Sequence, residues 1–449
     1  MKKKITILCP EYVPLENKGE EAIIRGVIDV LFSDRECEFH LVDNNSKEYY
    51  QSNGIHMHPG DLFFSDWRSR EFELGFSFKQ MYSSACSLVR NGMNKFFPFW
   101  INTPHKEAVN FAKYISGKKK PPVRHVKSVE LLKNIDYVIA GHNGGLDEYV
   151  CHILNELDKL NIPFGIFGSS MKPNYTEKNM LSVFEKTFKN SNFNIARNPI
   201  GYEWALKYFS KLNFELRPDP AFGMLPISES ETNSLLKSLK IDEFVNKKTI
   251  MITTAEPAPI TRNAFDEFKF PQQKINAHRN FLSEFIKMIV EKTDYNLLFL
   301  PHTIGPDARM DDRKISEDVI IRSGLENNDR VMLLNNDLSA KELKGIIKKA
   351  HFLIAERVHS IIGAIGVETP FMCLGSPHDS RIEGILKIQM ELSSNIYYLN
   401  YPKVEEAFIM LEDLLNNYNQ EKINLNLLNK KINTSLTEVN LNLSKFFVE

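Results

Sequence analysis

At 449 residues the chain exceeds the size at which a single hydrophobic core stops growing, so two domains of roughly 200 residues each are expected. A composition of 43% apolar and 25% charged residues excludes a fibrous or disordered chain. Lys plus Arg number 56 against 57 Asp plus Glu, so no global field draws the chain to nucleic acid or to an acidic membrane, and any anion site must be local.

Five scattered cysteines (Cys9, Cys37, Cys86, Cys151, Cys373) form no CxxC pair, which argues against a disulfide framework or a structural zinc and fits a reducing cytoplasm. Three lysines before Ile5 to Cys9 imitate a secretory signal, but the apolar run is too short and Pro10-Glu11 closes it. It reads as a buried first strand. No stretch approaches the roughly 18 to 20 uninterrupted apolar residues that span a bilayer, so the protein is not expected to be integral to a membrane.

Short apolar runs then alternate with longer helical patterns, which predicts an α/β protein with parallel sheets. In the first half the strands fall at Ile5 to Cys9, Glu38 to Val42, Tyr137 to Ala140, Phe164 to Phe167 and Phe193 to Ala196. After the first strand, Asn17-Lys18-Gly19-Glu20-Glu21 turns into a helix; Gly19 either permits a tight turn or lets a substrate approach the backbone. Residues 61–125 stand apart, with 11 Lys or Arg against 5 Asp or Glu and 13 aromatics. Their FFPFW (Phe96 to Trp100) and GKKKPP (Gly117 to Pro122) clusters read either as a basic, aromatic surface for peripheral membrane or lipid-linked contact, or as an ordinary helical subdomain.

The glycine-rich Gly141-His142-Asn143-Gly144-Gly145 follows the third strand and is either a phosphate loop or a turn. Arg197 closes the fifth strand as a surface ion pair or an anion contact, and Asp219, between Pro218 and Pro220, reads first as a turn or cap. A polar seam at residues 228–248 separates a first domain (1–228) from a second (245–400), with helices over 401–449.

The second half repeats the rhythm at Thr249 to Thr253, Asn296 to Leu300, Val331 to Leu334, Phe352 to Ala355 and Phe371 to Leu374. Two doubly wound, Rossmann-like domains result. His302 lies just past a strand and is a candidate acceptor contact, whereas Asp311-Asp312-Arg313, acidic enough to suggest a metal, reads first as a helix cap. The densest chemistry is Glu356-Arg357-Val358-His359-Ser360, at the carboxyl end of a strand and the start of a helix. There a helix N-terminus and an arginine fork suit an anion, and His359 suits proton transfer near neutral pH. The bland alternative is that Arg357 pairs with a carboxylate and His359 merely starts a helix.

Arg357 to Phe371 (RVHSIIGAIGVETPF) followed by Asp379 to Leu386 (DSRIEGIL) resembles the C-terminal signature of the polysaccharide pyruvyl transferase family. Asn17 to Ile23, Gly141 to Gly145, Ala196-Arg197-Asn198 and Pro218 to Phe222 resemble its other landmarks, in the same order. Glu20 stands where members commonly carry Asp, and Arg381 where many carry Lys.

The resemblance implies a GT-B-like pair of domains with the active site between them, and transfer of pyruvate from phosphoenolpyruvate to two hydroxyls of a sugar during bacterial surface polysaccharide synthesis. Arg357 and Arg197 are then expected to clamp the donor's anions, with His359 as acid or base. Gly19, Glu20, Gly144, Gly145, His302, Ser360 and Arg381 are expected to contact substrates. No metal and no cofactor beyond the donor substrate is expected; the acceptor is a nucleotide-linked, lipid-linked or polymeric sugar. A glycosyltransferase using a nucleotide sugar and a noncatalytic assembly protein are the rival readings.

Overall fold

A computed structural model describes residues 4–43, 50–52, 55–63, 103–142, 146–172, 178–255, 264–305, 310–377 and 379–447. Gly144, Gly145, Cys86 and the FFPFW cluster lie outside the described residues.

The first domain runs β1 (Ile5–Tyr12), α1 (Lys18–Leu31), β2 (Cys37–Asp43), β3 (Tyr50–Ser52), β4 (Ile55–Pro59), α2 (Thr103–Ile115), α3 (Val126–Leu132), β5 (Tyr137–Ala140), α4 (Glu148–Asp158), β6 (Phe164–Ser169), α5 (Lys178–Asn190), β7 (Asn194–Ala196), α6 (Pro199–Tyr208) and β8 (Glu215–Leu216). Two short helices, α7 (Glu229–Ser238) and α8 (Asp242–Val245), lead into the second domain. It comprises β9 (Thr249–Thr253), α9 (Pro271–Lys292), β10 (Asn296–Phe299), α10 (Asp312–Ser323), β11 (Val331–Leu333), α11 (Ala340–Ile347), β12 (Phe352–Ala355), α12 (Val358–Gly366), β13 (Phe371–Gly375) and β14 (Ile396–Tyr398). The chain ends with α13 (Val404–Asn416) and α14 (Tyr418–Leu443).

The first sheet has the order β3-β4-β2-β1-β5-β6-β7-β8 and the second β11-β10-β9-β12-β13-β14. Every pairing is parallel except that of β3 with β4. Both orders reverse direction at one point, between β1 and β5 and between β9 and β12, as in dinucleotide-binding folds. Strand residues alternate between faces. Ile7, Tyr137, Ile139 and Phe167 pack into a core shared with α1, α11, α12 and α14, whereas Leu8, Val138, Ala140 and Ile166 join α2 to α6 on the other side. The shared core spans both domains, so the domain interface is itself apolar.

Four observations extend or refine the sequence reading. β1 continues past Pro10 to Tyr12, because its register with β2 shifts between Leu8 and Tyr12, where a bulge tolerates the missing proline N–H. The short strands β3, β4, β8 and β14 flank the predicted ones. The polar segment 228–248 is folded: Ser228 and Glu231 form a capping box, and Leu236, Ile241 and Val245 enter the core. Finally, α14 crosses back to the first domain, burying Leu425, Ile432, Leu436, Val439 and Leu443, while Phe447 packs against Phe32 at 4.8 Å and Tyr137 at 4.9 Å. Within 61–125, Phe111 of α2 packs on Phe63 at 4.4 Å, and Lys118 to Lys120 are exposed.

Candidate active site

The two reversal points face each other. Beyond the carboxyl ends of β1, β9 and β12, a cleft is lined by Asn17, Gly19 and Glu20 from the first domain and by His302, Glu356, Arg357, His359 and Arg381 from the second. Backbone bonds stitch its floor: Lys18 N–H donates to His302 O at 3.0 Å, Ile304 N–H to Glu16 O at 3.0 Å, and Asn17 forms a β-bridge with Thr303. Asn17 also caps α1, its side chain accepting from Gly19 N–H at 3.1 Å.

His359 occupies the first turn of α12, where the opening N–H groups have no acceptor within the helix and the helix dipole favours an anion. Its Nδ1 lies against Gly19, and its Nε2 is buried without a hydrogen bond, 3.8 Å from Asp219 Oδ2. Asp219 is fully buried. Its Oδ1 caps the turn that follows by accepting from Ala221 N–H at 2.9 Å, and its Oδ2 accepts from Arg197 at 2.9 Å. Burial alone would push this carboxyl up, but Arg197 and His359 outweigh it and hold Asp219 below the usual range. Gly26 lets α1 dock on this turn, since a Cβ there would come within 2.0 Å of Pro220 O.

This placement corrects the expected role of Arg197. The side chain is 1% exposed, does not line the cleft, and spends its Nη1 on Asp219. A guanidinium without water must pair with a carboxylate, and the Asp-Pro turn supplies it.

Arg357 does line the cleft, as the N-cap residue of α12. Its Nε donates to Thr254 O at 3.2 Å and its Nη2 to Asp312 Oδ1 at 2.5 Å. Asp312 Oδ2 in turn accepts from the N–H groups of His302 and Thr303, at 3.0 and 2.8 Å. Asp311 caps α10 as expected, whereas Asp312 is a buried anchor that fixes both Arg357 and the His302 loop. Burial pushes Asp312 up to about 6 despite Arg357. Burial, with His359, Arg357 and Lys18 nearby, holds His302 well below the ordinary histidine value. Glu356 accepts from Ala255 N–H at 2.8 Å and pairs with His278 of α9.

Arg381 sits at the cleft just before a π-helical turn, Ile382–Gln389, a distortion frequent at functional sites. Asp379 orients it through Nε and Nη2, at 3.1 and 2.7 Å. Glu20 lines the cleft, with Oε2 buried, lacking a hydrogen bond, and 3.9 Å from His142 Nε2. Ser360 does not line it; its hydroxyl is buried without a hydrogen bond, because the third position of α12 turns into the core.

Beneath the cleft, Glu11 accepts from the N–H groups of Gly141 and His142, at 2.5 and 3.0 Å, and contacts His142 Nδ1 at 2.8 Å. That pair ties Gly141 and His142 to the end of β1.

Two Rossmann-like domains with a cleft between facing reversal points define a GT-B-type architecture. Solved structures of that kind resemble it over nearly their whole length. An α,α-trehalose-phosphate synthase (UDP-forming) from Burkholderia xenovorans has a TM-score of 0.53 at 8% identity, over 99% of each chain. The UDP-GlcNAc 2-epimerase of Methanocaldococcus jannaschii gives 0.52 at 12%, over 92% of this chain and 93% of that one. The Neisseria meningitidis epimerase, bound to UDP-GlcNAc, gives 0.51 at 10%, over 98% of each. Identities this low speak for the fold alone. No curated protein matches by sequence. Residues 17–378 match the model of the polysaccharide pyruvyl transferase family, and the chain belongs to that family. The matched stretch includes Arg357 and His359 and ends just before Arg381.

Proposed function

We propose that the cleft binds phosphoenolpyruvate and transfers its pyruvyl group to two hydroxyls of one sugar, releasing phosphate and leaving a cyclic ketal. The observation that carries this reading is the grouping of Arg357, Arg381 and the N-terminus of α12 around a histidine whose Nε2 faces a buried aspartate at 3.8 Å. Phosphoenolpyruvate presents a carboxylate and a phosphate, and two guanidinium charges, each already anchored on an aspartate, offset them at the cleft wall.

His359 gives a proton to C3 of the donor, which makes C2 electrophilic. One sugar hydroxyl adds to C2, the C2–O bond to phosphate breaks, and the second hydroxyl closes the ketal. Of the two hydroxyl protons, one balances that delivered to C3 and the other leaves with phosphate. Glu20, at the cleft wall, accepts from the attacking hydroxyls. Arg197 and Asp219 are positioning residues for His359. The product carries a new carboxylate, which suits a charged surface polysaccharide. The nucleotide sugars named with the structural neighbours make a UDP-linked sugar the first acceptor to try, before lipid-linked units and polymer.

Calorimetric titration of phosphoenolpyruvate into the wild type and Arg357→Ala tests the donor without knowledge of the acceptor. Binding in the wild type that weakens at least tenfold in the variant is expected. Absence of binding, or binding indifferent to Arg357, overturns the reading. Turnover of a nucleotide sugar without phosphate release from phosphoenolpyruvate would make the protein a glycosyltransferase instead.

A further inference from the structure

Two clusters among the described residues bring three ligating atoms within 4.8 Å of one another: Cys9, Glu11 and His142, and Glu38, His40 and His56. The first is internally bonded, since Glu11 Oε2 takes two backbone N–H groups and His142 Nδ1, while His142 Nε2 meets Tyr12 O at 2.8 Å. The second is different. Glu38 and His40 alternate along β2, His56 and His58 alternate along β4, and the parallel register sets His40 beside His56. Period-two alternation therefore puts all four side chains on one face of the sheet.

His40 is 1% exposed and stacks on His56 with ring centroids 4.7 Å apart and planes 11° from parallel, so a cation held by both requires the His56 ring to turn about its Cβ–Cγ bond. Its Nδ1 lies 2.8 Å from His58 Nε2. Its Nε2 is buried without a hydrogen bond, 3.8 Å from Glu38 Oε2, which is too long for one. When Nδ1–H donates to His58, Nε2 turns a lone pair toward a carboxylate oxygen. Two electron-rich atoms then face each other across a gap close to the ~3.3 Å ligand spacing of a tetrahedral cation with bonds of about 2.0 to 2.1 Å.

We propose that Glu38, His40 and His56 bind a divalent transition cation of the zinc type, with water in the fourth position. His58 fixes the tautomer and direction of His40 from behind, the arrangement that outer partners give metal-bound imidazoles. Two imidazoles and one carboxylate favour zinc over calcium or magnesium, which take oxygen ligands. Lys4 holds Glu38 Oε1 at 2.8 Å and leaves Oε2 to the cation. Glu38 pairs with Thr6 and His40 with Leu8, near the amino ends of the strands, whereas the cleft lies beyond Tyr12. The cation braces the edge of the first sheet and takes no part in group transfer.

The full-length protein, stripped with a chelator, is titrated with Co²⁺ followed by absorbance and then with Zn²⁺. One equivalent per chain is expected, with a visible cobalt band free of thiolate charge transfer, displacement by zinc, and a higher melting temperature with zinc. Glu38→Gln, at a side chain 32% exposed and tolerant of exchange, weakens binding at least tenfold, and His56→Gln abolishes it. Cys9→Ala leaves it unchanged, and phosphoenolpyruvate binds equally with and without zinc. No stoichiometric binding in the wild type, binding that survives both Glu38→Gln and His56→Gln, or binding lost in Cys9→Ala overturns the proposal.

Discussion

Gly19 of the first domain and His359 of the second meet across the cleft so closely that a Cβ on residue 19 would lie 2.5 Å from His359 Nδ1. The glycine is required by this approach, since no positive φ marks it. Gly19→Ala is therefore expected to displace the imidazole, lowering kcat by about tenfold or more while the melting temperature moves little. Steady-state kinetics beside a thermal scan checks this; unchanged kcat would mean the ring has slack.

His359→Gln keeps a polar side chain but removes the proton-transfer group. Turnover should fall by about 10²- to 10⁴-fold, with the calorimetric affinity for phosphoenolpyruvate within a fewfold of wild type. Near-normal kcat at saturating substrates would remove His359 from the chemistry.

Asp219→Asn separates positioning from stability. It leaves the buried Arg197 charge unpaired, a cost of about 3 to 5 kcal/mol in denaturant unfolding, and lets His359 drift. Combining it with Arg197→Met should recover much of the stability but none of the turnover. Joint recovery of both would show that Asp219 serves the fold alone.

Asp312 gives a pH signature. Its carboxyl titrates at about 6 in the folded chain against an ordinary 3.8, so the native state holds a proton there that the unfolded chain has released. Its contribution to stability is fully present below the unfolded value and is lost as pH rises through 6. Wild-type stability relative to Asp312→Asn should thus rise as pH falls from 7 toward 4, by up to about 3 kcal/mol. A flat difference across that range would place the group at its ordinary value.

All ten strands read from apolar runs are present, because buried parallel strands are nearly continuous in Val, Ile, Leu and Phe. β3, β8 and β14 are too short to print a pattern, and β4, with His56 and His58 inside it, does not look apolar. Arg357, His359 and His302, read from their places at strand and helix ends, meet in the cleft with Gly19, Glu20 and Arg381, which the family resemblance singled out. Asp219 was harder to value, because a Pro-Asp-Pro turn announces a cap and nothing local says that Arg197 and His359 converge on the cap's other oxygen. Asp312 and Glu356 posed the same difficulty: what each anchors lies 45 and 78 residues away in Arg357 and His278. The Ser360 expectation failed because adjacent positions on a helix point in different directions.

The return of α14 to the first domain means that the peptide chain joins the two halves at two separate places. The halves are thus tied by the chain on two sides as well as by the shared apolar core and by the backbone bonds of Lys18 to His302 and of Ile304 to Glu16.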